Sequence, residues 1–384
     1  MNPPLTHPHS LDLPGTGMSP GSIRLPINAI PPVIGKLRHA YPLSILSVND
    51  AYLPWFHSNF IQLFWPRARG FPHATLDFFY PPQYPSLPLL DIQLFDRRTL
   101  DRRFLGRGAG VLEFFVSCLA DGLYVQLYVD EFHLPGRAAY RRGYMPHRLL
   151  LFGCDRGGAS FDILGFTAHG RYAASQVSGS ELEDAVGSPR LLADIEAIQA
   201  GEREIALGDL GKISLTRYES GRACSFDLQL VIDQLSDYLN CHRTADRFRM
   251  LDLSYYDQEA TGMEVYSCIR RRLEYSRKHP EFADVLSVHI LWEHKKCMLA
   301  RIEYMEARGY LDPGDALGEA YAEIVAQAGI LRMMMLRYGM SRDEHLIERM
   351  IGRLVSVSER EGDLLTRGLE QLLGRSQVGQ CHVG

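Results

Sequence analysis

His147 is the side chain best placed to do chemistry. It opens the continuous apolar run Arg148-Leu-Leu-Leu-Phe-Gly153, the pattern of a central strand buried on both faces. An imidazole at such a strand end can take up and return a proton near neutral pH. Asp130 ends the alternating, β-rich segment Tyr124-Val-Gln-Leu-Tyr-Val-Asp130, and Asp162 lies in the next run, Phe161-Asp-Ile-Leu-Gly-Phe166. Each acid suits a turn or strand end better than a catalytic role, and the alternative for His147 is a strand-end residue satisfied by a neighbour. Cys154 reads as a small buried hydrophobe.

Other chemistry is thinly represented. The sequence contains no GxxxxGK[ST], HExxH or GxSxG, and no glycine fingerprint follows a strand. Leu105-Gly-Arg-Gly-Ala-Gly110 reads as a loop before a helix. His7 and His9, Cys241-His242 and Cys381-His382 lack a second ligand pair at zinc spacing, and His289 and His294 fall on different helix faces. No metal or resident cofactor is expected. The arginines Arg97, Arg98, Arg102, Arg103 and Arg107, with Arg137, Arg141 and Arg142 later, form the one basic concentration. They read either as a solvated face or, at Arg102 and Arg103, as a docking patch for an anionic partner.

The positioning elements follow from pattern. Trp55–Phe64, entered at Pro54, is read as a helix, and Leu76–Tyr80 as a short strand. Gly110–Ala120 is an amphipathic helix stopped near Gly122. The runs at 148–153 and 161–166 form a β-hairpin across a Gly-rich turn. Ser180 and Glu183 have capping-box spacing for a helix to Val186, and a further strand lies near Lys212–Tyr218. From about Ser225 the period becomes helical: Leu317, Tyr321, Ile324, Ala328, Leu331 and Met335 recur at intervals of 4, 3, 4, 3 and 4. Leu291, Met298, Ile302 and Met305 make a second stripe, and Leu346, Met350, Leu354 and Val357 a third. These faces suit a core, or less simply a dimer seam, and the oligomeric state stays open. Gly374–Gly384 is expected to fray.

The chain has 384 residues, 46% hydrophobic and 23% charged, with a net charge of −5. That balance belongs to a globular protein with a sizeable core and gives no basic field for nucleic acid. No apolar window is long enough to span a membrane, and seven scattered cysteines do not form a disulfide framework. A cytoplasmic protein is expected. Sixteen of the twenty-one prolines fall by Pro88, so residues 1–32 read as a flexible leader. Two domains should follow, over 33–220 and 225–375.

The block Gly-Leu-Tyr-Val, Val-Asp-Glu-Phe-His-Leu-Pro, His147 and Phe-Gly-Cys-Asp, within residues 45–310, resembles the butirosin biosynthesis protein H-like family, encoded beside nonribosomal peptide and other natural-product pathways. The resemblance implies an α/β (α+β) fold: a papain-like N-terminal domain with an antiparallel sheet, plus a helical C-terminal domain. It implies transfer of an acyl or peptidyl group from the phosphopantetheine thioester of a carrier protein to an amine, with that arm as substrate. A His-Cys pair opens the first core helix in the family, and the matching place here is His57-Ser58; Gly165 stands where an acid or amide would follow. Ser58 would then attack the thioester, His147 would act as base, Asp162 would orient it, and His57 and Asp130 would line the substrate site. Without the cysteine, a non-catalytic binding or scaffold protein of the same pathway is the alternative; a peptidase fits less well.

Overall fold

The computed structural model describes residues 21–67, 70–79, 94–105, 110–155, 157–201, 209–247 and 258–380. It is a mixed α/β protein with antiparallel sheets and a helical C-terminal region. In chain order the first elements are β1 (Ser22–Arg24), α1 (Leu37–Leu46), α2 (Leu53–Ser58), β2 (Gln62–Pro66), β3 (Asp77–Phe79) and β4 (Phe95–Asp101). Then come α3 (Val111–Ala120), β5 (Tyr124–Asp130), β6 (Pro146–Asp155), β7 (Ser160–Phe166), β8 (Tyr172–Ser178), α4 (Gly179–Val186), α5 (Pro189–Gln199) and β9 (Lys212–Tyr218). The remainder is α6 (Leu228–Leu239), β10 (Gln258–Thr261), α7 (Val265–Lys278), α8 (Val285–Ala307), α9 (Leu317–Ser341) and α10 (Glu344–Gln380).

The larger sheet runs β4-β9-β5-β6-β7-β8, with β1 added along β6. Both faces are covered, which is why β6 is apolar without alternation. Val125, Leu127, Val129, Leu149 and Leu151 pack with Phe115, Leu119 and Leu182 of α3 and α4. Tyr124, Leu150, Phe152 and Leu164 face the other way, onto Tyr41 of α1 and the main core. The β6–β7 register shifts between Leu151 and Gly153. A Cβ at Gly153 would lie 2.5 Å from Asp162 Oδ2 and 2.9 Å from Ile23 O, so β1 can lie this close only because residue 153 is glycine.

Four sequence expectations shift. The 1–32 leader is not loose where it is described, because β1 pairs with β6 and Leu25 N donates to Phe152 O; residues 1–20 lie outside the described residues. The helix expected over 55–64 ends at Ser58, Phe60 adopts φ 56°, and the chain continues as β2. The apolar run from Phe60 to Trp65 fits either element by periodicity, and pairing of β2 with both β3 and β10 decides for the strand. The capping box at α4 uses Ser178 and Glu181 instead of Ser180 and Glu183; the sequence offers the same i, i+3 spacing twice, two residues apart. Helix α10 continues past Gly374 to Gln380.

The small sheet β10-β2-β3 ties the first hundred residues to the C-terminal region. One core cluster includes Tyr41, Phe60 and Trp65 together with Ile232, Leu291, Tyr321 and Leu354, so a division near residue 220 would cut through shared core. All three helical stripes are buried inside this core, which removes the dimer-seam reading for them. No described helix is long and apolar enough to cross a membrane. A Cβ at Gly352, within α10, meets nothing within 4 Å. Gly352→Ala is therefore expected to raise the unfolding free energy by about 0.5–1 kcal/mol, measured by urea unfolding, because it lowers only the entropy of the unfolded chain.

The bundle interior holds an ion pair. Lys295 Nζ lies 2.7 Å from both carboxylate oxygens of Glu361, and neither side chain is exposed. Glu361 also accepts from the hydroxyls of Tyr238 (3.1 Å), Tyr266 (2.7 Å) and Tyr321. The neighbouring His294 holds Ile61 O at 2.7 Å through Nε2 and accepts from Lys295 through Nδ1 at 3.0 Å.

Candidate functional site

Ser58 lies at the C-terminal end of α2, not at a helix start. Its hydroxyl donates to Pro54 O at 2.8 Å and accepts at 2.9 Å from the backbone N of Asp227, the N-cap of α6. Gln234 Nε2 holds its carbonyl at 2.8 Å. The residue is buried. A serine proton bonded to a backbone carbonyl four residues back is a local structural bond. It is not the bond to a base that an activated hydroxyl needs.

His57, its neighbour in sequence, belongs to a different environment. Its ring packs against Tyr304 at a tilt of 32° with centroids 4.4 Å apart, and its buried Nδ1 has no hydrogen-bond partner. Burial, with Arg301 and Arg308 nearby, pushes its pKa down to about 3. Arg301 Nε donates to His57 O at 2.7 Å. At neutral pH the ring is an uncharged packing element rather than a substrate-binding cation.

His147 lies at the start of β6, partly exposed, with Nδ1 2.9 Å from Glu131 Oε1. An ionised carboxylate can only accept, so in the neutral ring Nδ1 carries the proton and Nε2 remains the basic nitrogen. The orienting acid is thus Glu131 and not Asp162. Asp162 pairs in register with Gly153, six residues along β6 from His147, roughly 20 Å at about 3.3 Å per residue. There it accepts from Gln176 Nε2 at 3.0 Å and meets Arg24 at 3.6 Å. Asp130 is also committed: Oδ1 accepts from Phe132 N and Met145 N, each at 3.1 Å, and Oδ2 accepts from Ser188 Oγ at 2.8 Å. It clamps the β5–β6 connection to the start of α5. Among the described residues, no serine, threonine or cysteine hydrogen-bonds to His147.

The helix laid against the sheet here is α1, not the segment carrying Ser58. Tyr41 OH reaches Arg148 O at 2.8 Å and Leu164 O at 3.1 Å. Burial pushes the Tyr41 hydroxyl pKa up, and the charges of Arg137 and Glu131 also act on it. A Cβ at Gly165 would lie 3.0 Å from Arg137 Nη1 and 3.1 Å from Tyr41 OH. The Arg137 guanidinium therefore fills the space that an acid or amide at position 165 would need. Glu131 and Tyr41 do not stand out in the sequence, and Arg137 stands out only as one member of the basic concentration. Glu131 had a usable signal: it directly follows β5, and Val129 faces His147 in register.

The expected docking pair divides. Arg102 is buried, with Nη1 donating to Tyr128 O at 3.0 Å and Nη2 donating to Val186 O; burial lowers its pKa to about 10. Only Arg103 is exposed, and it lies 3.6 Å from Asp101. Arg107 lies outside the described residues. Arg102→Ala is expected to cost about 1–3 kcal/mol by urea unfolding, because two buried carbonyls lose a charged donor. Arg103→Ala should stay within about 0.5 kcal/mol of the parent.

Cys154, beside the acids Asp155 and Asp162, is buried with its thiol pKa pushed up to about 11, chiefly by burial, the state of an inert thiol. Among the described residues, no group of three or more His, Cys, Asp or Glu side chains is arranged to hold a metal ion; Cys381-His382 lies outside them. What the geometry offers is an oriented imidazole at a strand end, beside a helix whose tyrosine and a buried arginine occupy the adjoining space. No protein-family model matches the chain, and no curated protein matches it either.

Proposed function

We propose that the chain is a papain-like cytoplasmic protein of natural-product, nonribosomal peptide-type assembly that binds a carrier-tethered acyl or peptidyl group without becoming acylated. The pathway and the carrier-borne ligand rest on the sequence resemblance; the observation that supports binding without acylation is the pair of bonds at Ser58, to Pro54 O and from Asp227 N, while His147 is held by Glu131. A nucleophile and its base need to share a hydrogen bond, and these two are spent on different partners. The partner is an acyl or peptidyl carrier protein, and the phosphopantetheine arm with its load is the bound small-molecule or peptide group. Isothermal titration with carrier protein bearing an acylated arm, and with carrier lacking the arm, tests this. Tighter binding of the acylated form is expected; no binding, or equal binding of both forms, would sink it.

The oriented Nε2 of His147 favours one second reading, in which the protein promotes direct transfer to an amine. The amine nitrogen would attack the thioester carbon, His147 Nε2 would take its proton, and the C–N bond would form as the C–S bond breaks. The thiolate of the arm would leave and be reprotonated. Amide formation that His147→Ala abolishes would favour this reading over binding alone.

A further inference from the structure

Arg137 is 3% exposed. Its Nη1 donates to Phe166 O at 2.6 Å, while Nε and Nη2 are buried and have no hydrogen-bond partner. Leaving charged donors unmade inside a protein is costly. The carboxylate that shares this neighbourhood, Glu131, is engaged by His147. Arg148, the other nearby cation, is paired with Asp209. The Nη1 side of Arg137 is closed off by Phe166 O, Gly165 and Tyr41. The opposite edge, buried and without a partner, is the one on which Nε and Nη2 present two parallel N–H groups, the side-on fork that fits a carboxylate with two bonds.

We infer that Arg137 is a recognition site for a single carboxylate, which belongs to the acyl or peptidyl group delivered by the carrier. The fork is shut from solvent in this conformation, so occupancy opens the segment carrying Arg137, whose outer turn holds the exposed Arg141, Arg142 and Gly143. The identity of the carboxylate's owner rests on the proposed function; the carboxylate site itself does not.

The test uses N-acetylglycine as probe, its uncharged amide as control, and sodium chloride to hold ionic strength constant, read by isothermal titration and by the melting temperature of the full chain. Saturable binding of the carboxylate with a rise in Tm is expected, absent for the amide. Arg137→Met, which removes the charge at similar volume, should fold and bind at least tenfold more weakly. Arg137→Lys keeps the charge without the fork and should also lose affinity. No binding, equal binding of the amide, an equal effect of chloride or inorganic phosphate, or full binding by Arg137→Met or Arg137→Lys would each overturn the site. Because the probe needs no carrier, probe binding without carrier binding would defeat the proposed function alone, and carrier binding without probe binding would defeat this inference alone.

Discussion

Replacing Lys295 with methionine, or Glu361 with leucine, is expected to lower the unfolding free energy by about 3–5 kcal/mol in each case, because a lone buried charge is left behind. Glu361→Leu should be the worse of the two. It orphans the hydroxyls of Tyr238, Tyr266 and Tyr321 as well as the ammonium. The double variant should lose clearly less than the sum of the singles, since neither charge then remains to be desolvated without its partner. Urea unfolding of the four proteins measures this. Single variants within about 1 kcal/mol of the parent, or additive losses, would show that the pair is not the buried, coupled unit described above.

A steep loss of stability in mild acid is the second large effect expected. Burial dominates in lowering the pKa of His39, His57 and His294. A histidine whose folded pKa lies below its unfolded value binds its proton first in the unfolded chain. Its contribution is complete above about pH 6.5 and is lost as pH falls toward the folded value. For His57, with a folded pKa of about 3, the loss is about 1.4 kcal/mol per pH unit across that window. Asp77 adds to the loss only at lower pH, because Arg38, Lys36 and His39 outweigh its burial and hold its carboxyl below the usual range. Unfolding at pH 7.5, 6.0 and 5.0 isolates the histidines. His57→Phe keeps a ring against Tyr304 and should flatten the slope by about one proton; an unchanged slope would contradict the assignment.

The legible parts of the sequence were those in which local pattern and tertiary setting agree. The β5 and β9 strands lie at Tyr124–Asp130 and Lys212–Tyr218 as their composition indicates, and each apolar stripe of the bundle faces the core. The stretch from Trp55 to Trp65 is not legible, because its apolar residues, interrupted at His57-Ser58-Asn59 and at Gln62, fit either period, and its partner β10 is distant in sequence. The misplacement of Ser58 followed directly, since its role depended on a helix beginning there.

His147 was legible as a strand-end histidine, but its acid was not. Asp162 is close to it in sequence pattern yet lies on β7 opposite Gly153, well along the sheet from His147, whereas Glu131 reaches it from directly after β5. The arginines show the same limit. Arg102, Arg103 and Arg137 look alike in a charge count, and only the fold separates two buried guanidiniums from an exposed one. Tyr41 gave no signal at all, because its hydroxyl bonds to carbonyls more than a hundred residues away.

The most direct test of the central claim is the intact mass of the protein after incubation with a carrier protein bearing an acyl thioester, followed by peptide mapping across Ser58. An unchanged mass is predicted, because the Ser58 hydroxyl is committed to Pro54 O and Asp227 N and has no base. An added acyl mass on the peptide containing Ser58, lost in Ser58→Ala and in His147→Ala, would contradict the account and make the chain a covalent acyltransferase.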